Sequence, residues 1–212
     1  YLSVSDIATK SKSYLLRASF LLALFFHPLS LFADTVDYIY ETKPVSSIGD
    51  AADDPAIWFN RADPTKSLIF GTDKRKGIHV YDLYGKELSF SELGATNNID
   101  LRVIDKYVHI VISNRSSSTL GYWIFPESGL FEYFLENPTN AFTEDIVHYH
   151  LKANMNVYGV CMGFVNKRLS AALTEEEGPT VQMWDLTSKK IVGTINVISD
   201  EEDAPKTGNE AE

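Results

Sequence analysis

The chain is poor in cysteine, in net positive charge and in long apolar runs, and each shortage removes a class of protein. Its 212 residues hold one cysteine, Cys161, so no disulfide can form within the chain. Cys161 reads as a buried apolar filler, because nothing beside it suggests a nucleophile. Nineteen basic residues against 29 acidic ones give a formal charge of −10. A surface with that balance is expected to repel nucleic acid. The five histidines offer one close pair, His148-x-His150, and with a lone thiol that makes zinc an unexpected ligand. The longest apolar run, Ala18 to Phe26, is broken by His27-Pro28 and is too short to span a membrane comfortably.

What is present divides the chain into three. Lys10, Lys12 and Arg17 precede the apolar run, and Ala33 ends it with a small residue. Residues 1–33 therefore read as a signal peptide with an upstream extension, predicting a secreted or periplasmic protein with no membrane contact after cleavage. Residues 199–212 are acidic, lack apolar periodicity and read as a disordered tail. Between them, residues 34–198 carry short β-branched and aromatic segments about ten residues apart, punctuated by Gly, Asn, Asp or Pro. That pattern predicts an all-β fold. The expected strands include Val36–Tyr40 and Leu130–Phe134, and only Thr143–Leu151 reads as a weak helix.

An internal echo sharpens the prediction. Ile78–Leu88 and Val181–Ile191 share the pattern apolar-x-apolar-aromatic-Asp-Leu-x-x-Lys-x-apolar, which reads as strand, tight turn and return strand. Leu120–Phe131 is a looser copy with Pro126–Gly129 as its turn. Four-strand units recurring at 40 to 60 residues suggest a β-propeller, of which about three blades are present. An open set of three leaves unpaired edges.

Two loops carry the chemistry. Asp50, Asp53 and Asp54 crowd three carboxylates ahead of the apolar Ala56-Ile-Trp58. Such a cluster is either solvated or bridged by a cation, and hard oxygen donors suit calcium. Lys74-Arg75-Lys76, between Asp73 and Gly77, is a hairpin tip that is either solvated or holds a phosphate through charged donors. Asn97, Asn98 and Asp100 open a strand, and Arg115 follows the strand ending at Ile112.

Taken together, Asp50–Trp58, Gly71–Lys74, Gly77–Tyr81, Gly85-Lys86, Asn97–Arg102, Ser113–Arg115 and Tyr158–Met162 resemble the β-propeller phytases, in order and spacing, over residues 41 to about 195. The resemblance implies a six-bladed propeller family of which this chain holds about half. It implies a phosphomonoesterase that releases phosphate from myo-inositol hexakisphosphate by calcium-assisted attack of water. It assigns Glu41, Asp53, Asp54, Asp100 and Glu177 to Ca²⁺. Lys74, Arg115 and Tyr158 would grip the phosphate, with Asn97 and Asn98 beside them. Two departures stand out. Glu176, in Thr174-Glu-Glu-Glu-Gly178, takes a position where the family carries a phosphate-binding lysine. Beyond residue 195 the family's further calcium ligands give way to the acidic tail. The alternatives are a non-catalytic incomplete module that binds calcium or inositol phosphates, with a following propeller module as its partner, and an exported propeller that binds protein.

Overall fold

The computed structural model describes residues 37–142 and 145–197. The expected signal peptide and acidic tail lie outside them. The chain divides into a unit ending at Tyr38 and a unit beginning at Ile39, and the strands all belong to the second. Among the described residues no helix is long and apolar enough to cross a membrane.

Among the described residues, twelve strands form three four-stranded antiparallel meanders, the arrangement of propeller blades. Blade 1 comprises β1 (Ala52–Trp58), β2 (Leu68–Asp73), β3 (Gly77–Asp82) and β4 (Glu87–Glu92). Blade 2 comprises β5 (Thr96–Ile104), β6 (Tyr107–Asn114), β7 (Thr119–Pro126) and β8 (Val147–Lys152). Blade 3 comprises β9 (Val157–Val165), β10 (Arg168–Glu175), β11 (Thr180–Asp185) and β12 (Lys190–Asn196). The first strands of neighbouring blades, β1, β5 and β9, touch one another in sequence.

The alternation of side chains along each strand explains the core. Blade 2 is buried on both faces. Ile110, Ile112, Trp123 and Phe125 face blade 1, where they meet Leu68, Phe70, Ile78 and Val80. Val111, Leu120 and Tyr122 face blade 3, where they meet Leu169, Ala171, Leu173 and Trp184. A strand buried on both sides has no polar face to show, so Val108–Ile112 reads as an almost unbroken apolar run.

The echo marks equivalent places. Its two copies are β3–β4 and β11–β12, the third and fourth strands of blades 1 and 3. The shared aspartate builds the turn each time: Asp82 Oδ1 accepts from the Tyr84 and Lys86 N–H groups, and Asp185 Oδ1 from those of Thr187 and Ser188.

Five expectations are corrected. Leu130–Glu136 is helix α1, not a strand. Leu130 and Phe134 lie four residues apart and are both buried, so the segment places one helical face on the core instead of alternating. The third echo copy therefore does not return directly after Pro126; α1 intervenes and β8 starts at Val147. That strand replaces the expected helix in Thr143–Leu151, of which Thr143 and Glu144 lie outside the described residues. Of the expected strand Val36–Tyr40, Val36 lies outside the described residues, and Asp37–Tyr40 is irregular, with Tyr38 and Ile39 exposed and no partner strand among the described residues. Cys161 is exposed, because it sits on the face of β9 turned away from blade 2.

Blade 2 also carries two imidazoles, the half-buried His109 and the more exposed His150, whose affinity for a proton is lowered. Burial lowers that of His109, partly opposed by Asp105, and burial followed by His148 lowers that of His150. The Tyr122 hydroxyl, its pKa raised to about 12 chiefly by burial, lies 2.6 Å from His109 Nδ1. A histidine that is harder to protonate folded than unfolded leaves the unfolded chain binding more protons below the free value of 6.5. Stability contributed by the neutral rings is complete above that pH and is lost as pH falls through the window beneath it. Thermal midpoints are expected to drop between pH 7 and pH 5.5. The double variant His109→Gln, His150→Gln should flatten that slope.

Candidate functional site

The three blades repeat one backbone device at a common rim. The N–H groups of Lys74, Arg115 and Glu176 donate to the carbonyls of Ala51, Ala95 and Asn156 at 2.9, 2.8 and 2.8 Å. Each donor directly follows its blade's second strand, and each acceptor directly precedes its first. Lys74, Arg115 and Glu176 thus occupy equivalent positions in successive blades. Asp53, Asn97 and Tyr158 are likewise equivalent, two residues after those acceptors.

A hydroxyl locks each position. The N–H groups of Asp54, Asn98 and Gly159 donate to Thr72 Oγ1, Ser113 Oγ and Thr174 Oγ1 at 2.8, 2.9 and 2.8 Å. Thr72 passes its own proton to the Asn97 carbonyl of the next blade at 2.8 Å, and Ser113 passes its proton to the Tyr158 carbonyl at 2.6 Å. Thr72 and Ser113 therefore each clasp two blades and set the height of the rim residues.

Side chains from all three blades meet there. Lys74 Nζ lies 2.6 Å from Asp50 Oδ2 and 3.7 Å from Asp53 Oδ1. The Asp50 hydrogen bond raises the Lys74 pKa, with Asp53 and Tyr158 adding to the effect. Lys74 in turn pulls Asp50 below the usual carboxylate range. The tip is only partly solvated, since the Lys74 side chain is 16% exposed. The Arg115 guanidinium lies 5.6 Å from the centroid of the Tyr158 ring, within cation–π range. Its Nη2 pairs with Glu176, while its Nε is buried with no partner.

The oxygen donors assigned to calcium are more scattered. Asp53 and Asp54 stand at the start of β1, and Asp54 Oδ2 accepts from the Ile99 N–H at 3.0 Å. Asn97 is buried; its Nδ2 donates to Asn98 Oδ1, but its Oδ1 has no partner. That orphaned carbonyl oxygen is a hard donor of the kind calcium takes. Asp100 lies further along β5, with Oδ1 bound by Leu101 N–H and Arg102 and Oδ2 by Met162 N–H. Glu41 lies elsewhere: its carbonyl packs on Gly85, where a Cβ would collide with it, in the β3–β4 turn. That turn is at the opposite end of blade 1 from Asp53, a strand length of roughly 17 Å away. Glu177 is in the β10–β11 turn with φ of +55°. Among the described residues no three His, Cys, Asp or Glu side chains cluster to hold a metal ion. The fit to calcium is therefore partial. Asp53, Asp54 and Asn97 share the rim, whereas Asp100, Glu41 and Glu177 do not join them in one cluster.

Thus the rim sets Arg115 against Tyr158 and Glu176, and Lys74 against Asp50 and Asp53. Sequence reasoning missed the hydroxyl clasp. Its signal was present in the triplets Thr72-Asp-Lys74, Ser113-Asn-Arg115 and Thr174-Glu-Glu176, a hydroxyl residue two places before the rim residue in each blade.

Three comparisons bear on this geometry. A family profile described as Phytase matches residues 15–125, more than half of the chain. The 3-phytase of Bacillus subtilis is 55% identical over 62 residues, which are 29% of this chain and 16% of that protein. A protein of unknown function from Bacteroides caccae aligns over 68% of this chain and 46% of its own, at 10% identity and a TM-score of 0.40. Hsv2 of Kluyveromyces lactis aligns over 69% of this chain and 36% of its own, at 13% identity and a TM-score of 0.39.

Proposed function

The chain belongs to the phytase family, and from that premise we propose that its rim forms part of a site for hydrolysing phosphate monoesters of myo-inositol, with inositol hexakisphosphate as substrate. The observation that carries this reading is the placing of Lys74 and Arg115 at equivalent rim positions of successive blades, with the Tyr158 ring of the third blade beside Arg115. Lys74, kept protonated by Asp50, supplies an ammonium donor to a phosphoryl oxygen. Arg115 supplies a planar fork that matches two oxygens, and the Tyr158 ring holds the plane of that fork. Calcium, when bound, would neutralise phosphoryl charge and supply an activated water. Asp53, Asp54 and the Asn97 carbonyl oxygen are the rim donors available to it. The unpaired Arg115 Nε is a donor ready for an anionic oxygen.

The Arg115–Glu176 pair favours a second reading, a module that binds phosphorylated inositol weakly and without turnover. Titration calorimetry with inositol hexakisphosphate, with and without Ca²⁺, combined with an assay for released phosphate, separates the two. Calcium-dependent release supports hydrolysis; calcium-dependent binding without release supports the module. Lys74→Ala and Arg115→Ala are each expected to weaken binding about 10- to 100-fold, the worth of a hydrogen bond to a charged group. Unchanged affinity in both variants would remove these residues from the site.

A further inference from the structure

The His148-x-His150 pair stands apart from the rim, on β8, the outermost strand of blade 2. Both neighbours of blade 2 are described, so the pair does not depend on what precedes blade 1 or follows blade 3. Residues two apart on a strand share a face, and the two imidazole centres are 5.3 Å apart with their planes at 66°. Trp123 lies beside both. Its ring centre is 6.3 Å from that of His148, nearly parallel, and 5.4 Å from that of His150, edge to face. In the β7–β8 register Trp123 pairs with His148 and Gly121 with His150. A Cβ at Gly121 would collide with the Trp123 ring, so the glycine gives the indole room to lie along the strand.

The nitrogens of the pair are prepared for a metal ion. His148 Nδ1 lies 2.8 Å from the Ile146 carbonyl. A carbonyl only accepts, so Nδ1 donates. In the neutral ring that leaves the lone pair on Nε2, the tautomer and tether typical of a metal-binding histidine. Neither ring is fully buried, His148 being partly covered and His150 exposed. Burial, and after it His148, lowers the affinity of His150 for a proton, so near neutral pH there is little proton for a metal to displace. The spacing also fits. A metal about 2.0 Å from a ring nitrogen stands about 3.2 Å from the ring centre, so ligand angles of about 90–110° put two centres about 4.5–5.2 Å apart. The observed 5.3 Å lies at the upper end of that range, within reach of a small swing of the exposed His150 ring.

We propose that His148 and His150 chelate one divalent transition-metal ion on the outer edge of blade 2. His148 binds through Nε2 and His150 through one ring nitrogen, and water fills the other positions. Among the described residues no third His, Cys, Asp or Glu joins the pair. Two imidazoles do not close a structural zinc site, which takes four ligands. They suit an ion that binds nitrogen strongly and keeps water, so Cu²⁺ should bind tightest and Zn²⁺ more weakly. Calcium, which takes oxygen, should be refused. The site is therefore chemically separate from the oxygen donors of the rim.

Titration of the untagged full chain with Cu²⁺, followed by tryptophan fluorescence, tests this. An ion held by the two rings lies close enough to Trp123 to quench it. Saturable quenching at one equivalent is expected, with Zn²⁺ competing and Ca²⁺ without effect. The paramagnetic resonance spectrum of the bound copper should show two nitrogen ligands. His148→Gln and His150→Gln should each weaken binding by at least about 10-fold. His109→Gln, which alters an imidazole elsewhere in blade 2, should leave it unchanged. Circular dichroism establishes that the variants fold, and the exposed position of His150 keeps its replacement out of the core. Absence of saturable quenching below about 100 µM Cu²⁺ would overturn the proposal. So would equal affinity in wild type and both pair variants. Displacement of copper by Ca²⁺ as readily as by Zn²⁺ would also overturn it, because the ion would then sit on oxygen donors.

Discussion

Glu176→Lys is expected to raise the affinity of the rim for inorganic phosphate and for inositol hexakisphosphate by about 10- to 100-fold. The reason lies in the equivalence of Lys74, Arg115 and Glu176 across the blades. Two of the three equivalent positions carry a cation; the third carries an anion that already pairs with Arg115. A phosphoryl group must displace that carboxylate and then tolerate its charge. Lysine removes the competitor and adds a third cation at the same height. Glu176→Gln separates the two contributions, since it removes the negative charge without adding a positive one, and should recover only part of the gain. Both partners are about one-third exposed, so the change is smaller than for a fully buried pair. Calorimetric titration with each anion measures it. Equal affinity in wild type, Glu176→Gln and Glu176→Lys would show that Arg115 does not contact the anion.

The largest loss of stability is expected from Phe70→Ala, about 3–5 kcal/mol. Phe70 is completely buried between blades 1 and 2. Its ring lies edge-on to Phe134 of α1 at 5.4 Å and to Phe142 at 6.5 Å. Truncation removes those aromatic contacts and leaves a cavity where two sheets and a helix meet. For a folded unit of this size the thermal midpoint should fall by roughly 10–15 °C. Because Phe70 and Phe134 touch, the double variant with Phe134→Ala should cost less than the sum of the two singles. Phe164→Ala provides the contrast: at 60% exposure its loss should fall within about 0.5 kcal/mol. Denaturant unfolding followed by tryptophan fluorescence reads all four.

The elements that misled are those whose pattern depends on a neighbour. Leu130–Glu136 holds aromatic and apolar residues that fit alternation and helical spacing almost equally. The choice fell to the floor of the first core, which accepts Leu130 and Phe134 from a single helical face. Cys161 has the composition of a core residue, but β9 alternates, and the face it lies on has no described blade against it. By contrast, the Asp-Leu echo was readable because an Asx turn needs its aspartate locally, whatever packs around it.

The same division holds for the site. Local chemistry, written into the order of residues, determined the strand period, the turns, the triplets that end each second strand, and the charged residues that follow them. Only the tertiary structure decided that Lys74, Arg115 and Tyr158 share one rim, that Glu176 stands against Arg115, and that Glu41 lies a strand length from Asp53. Those relations are set by how one blade seats on the next. That seating depends on sheet faces and on cross-blade hydroxyl bonds between residues 25 and 45 positions apart, separations over which sequence pattern carries no register.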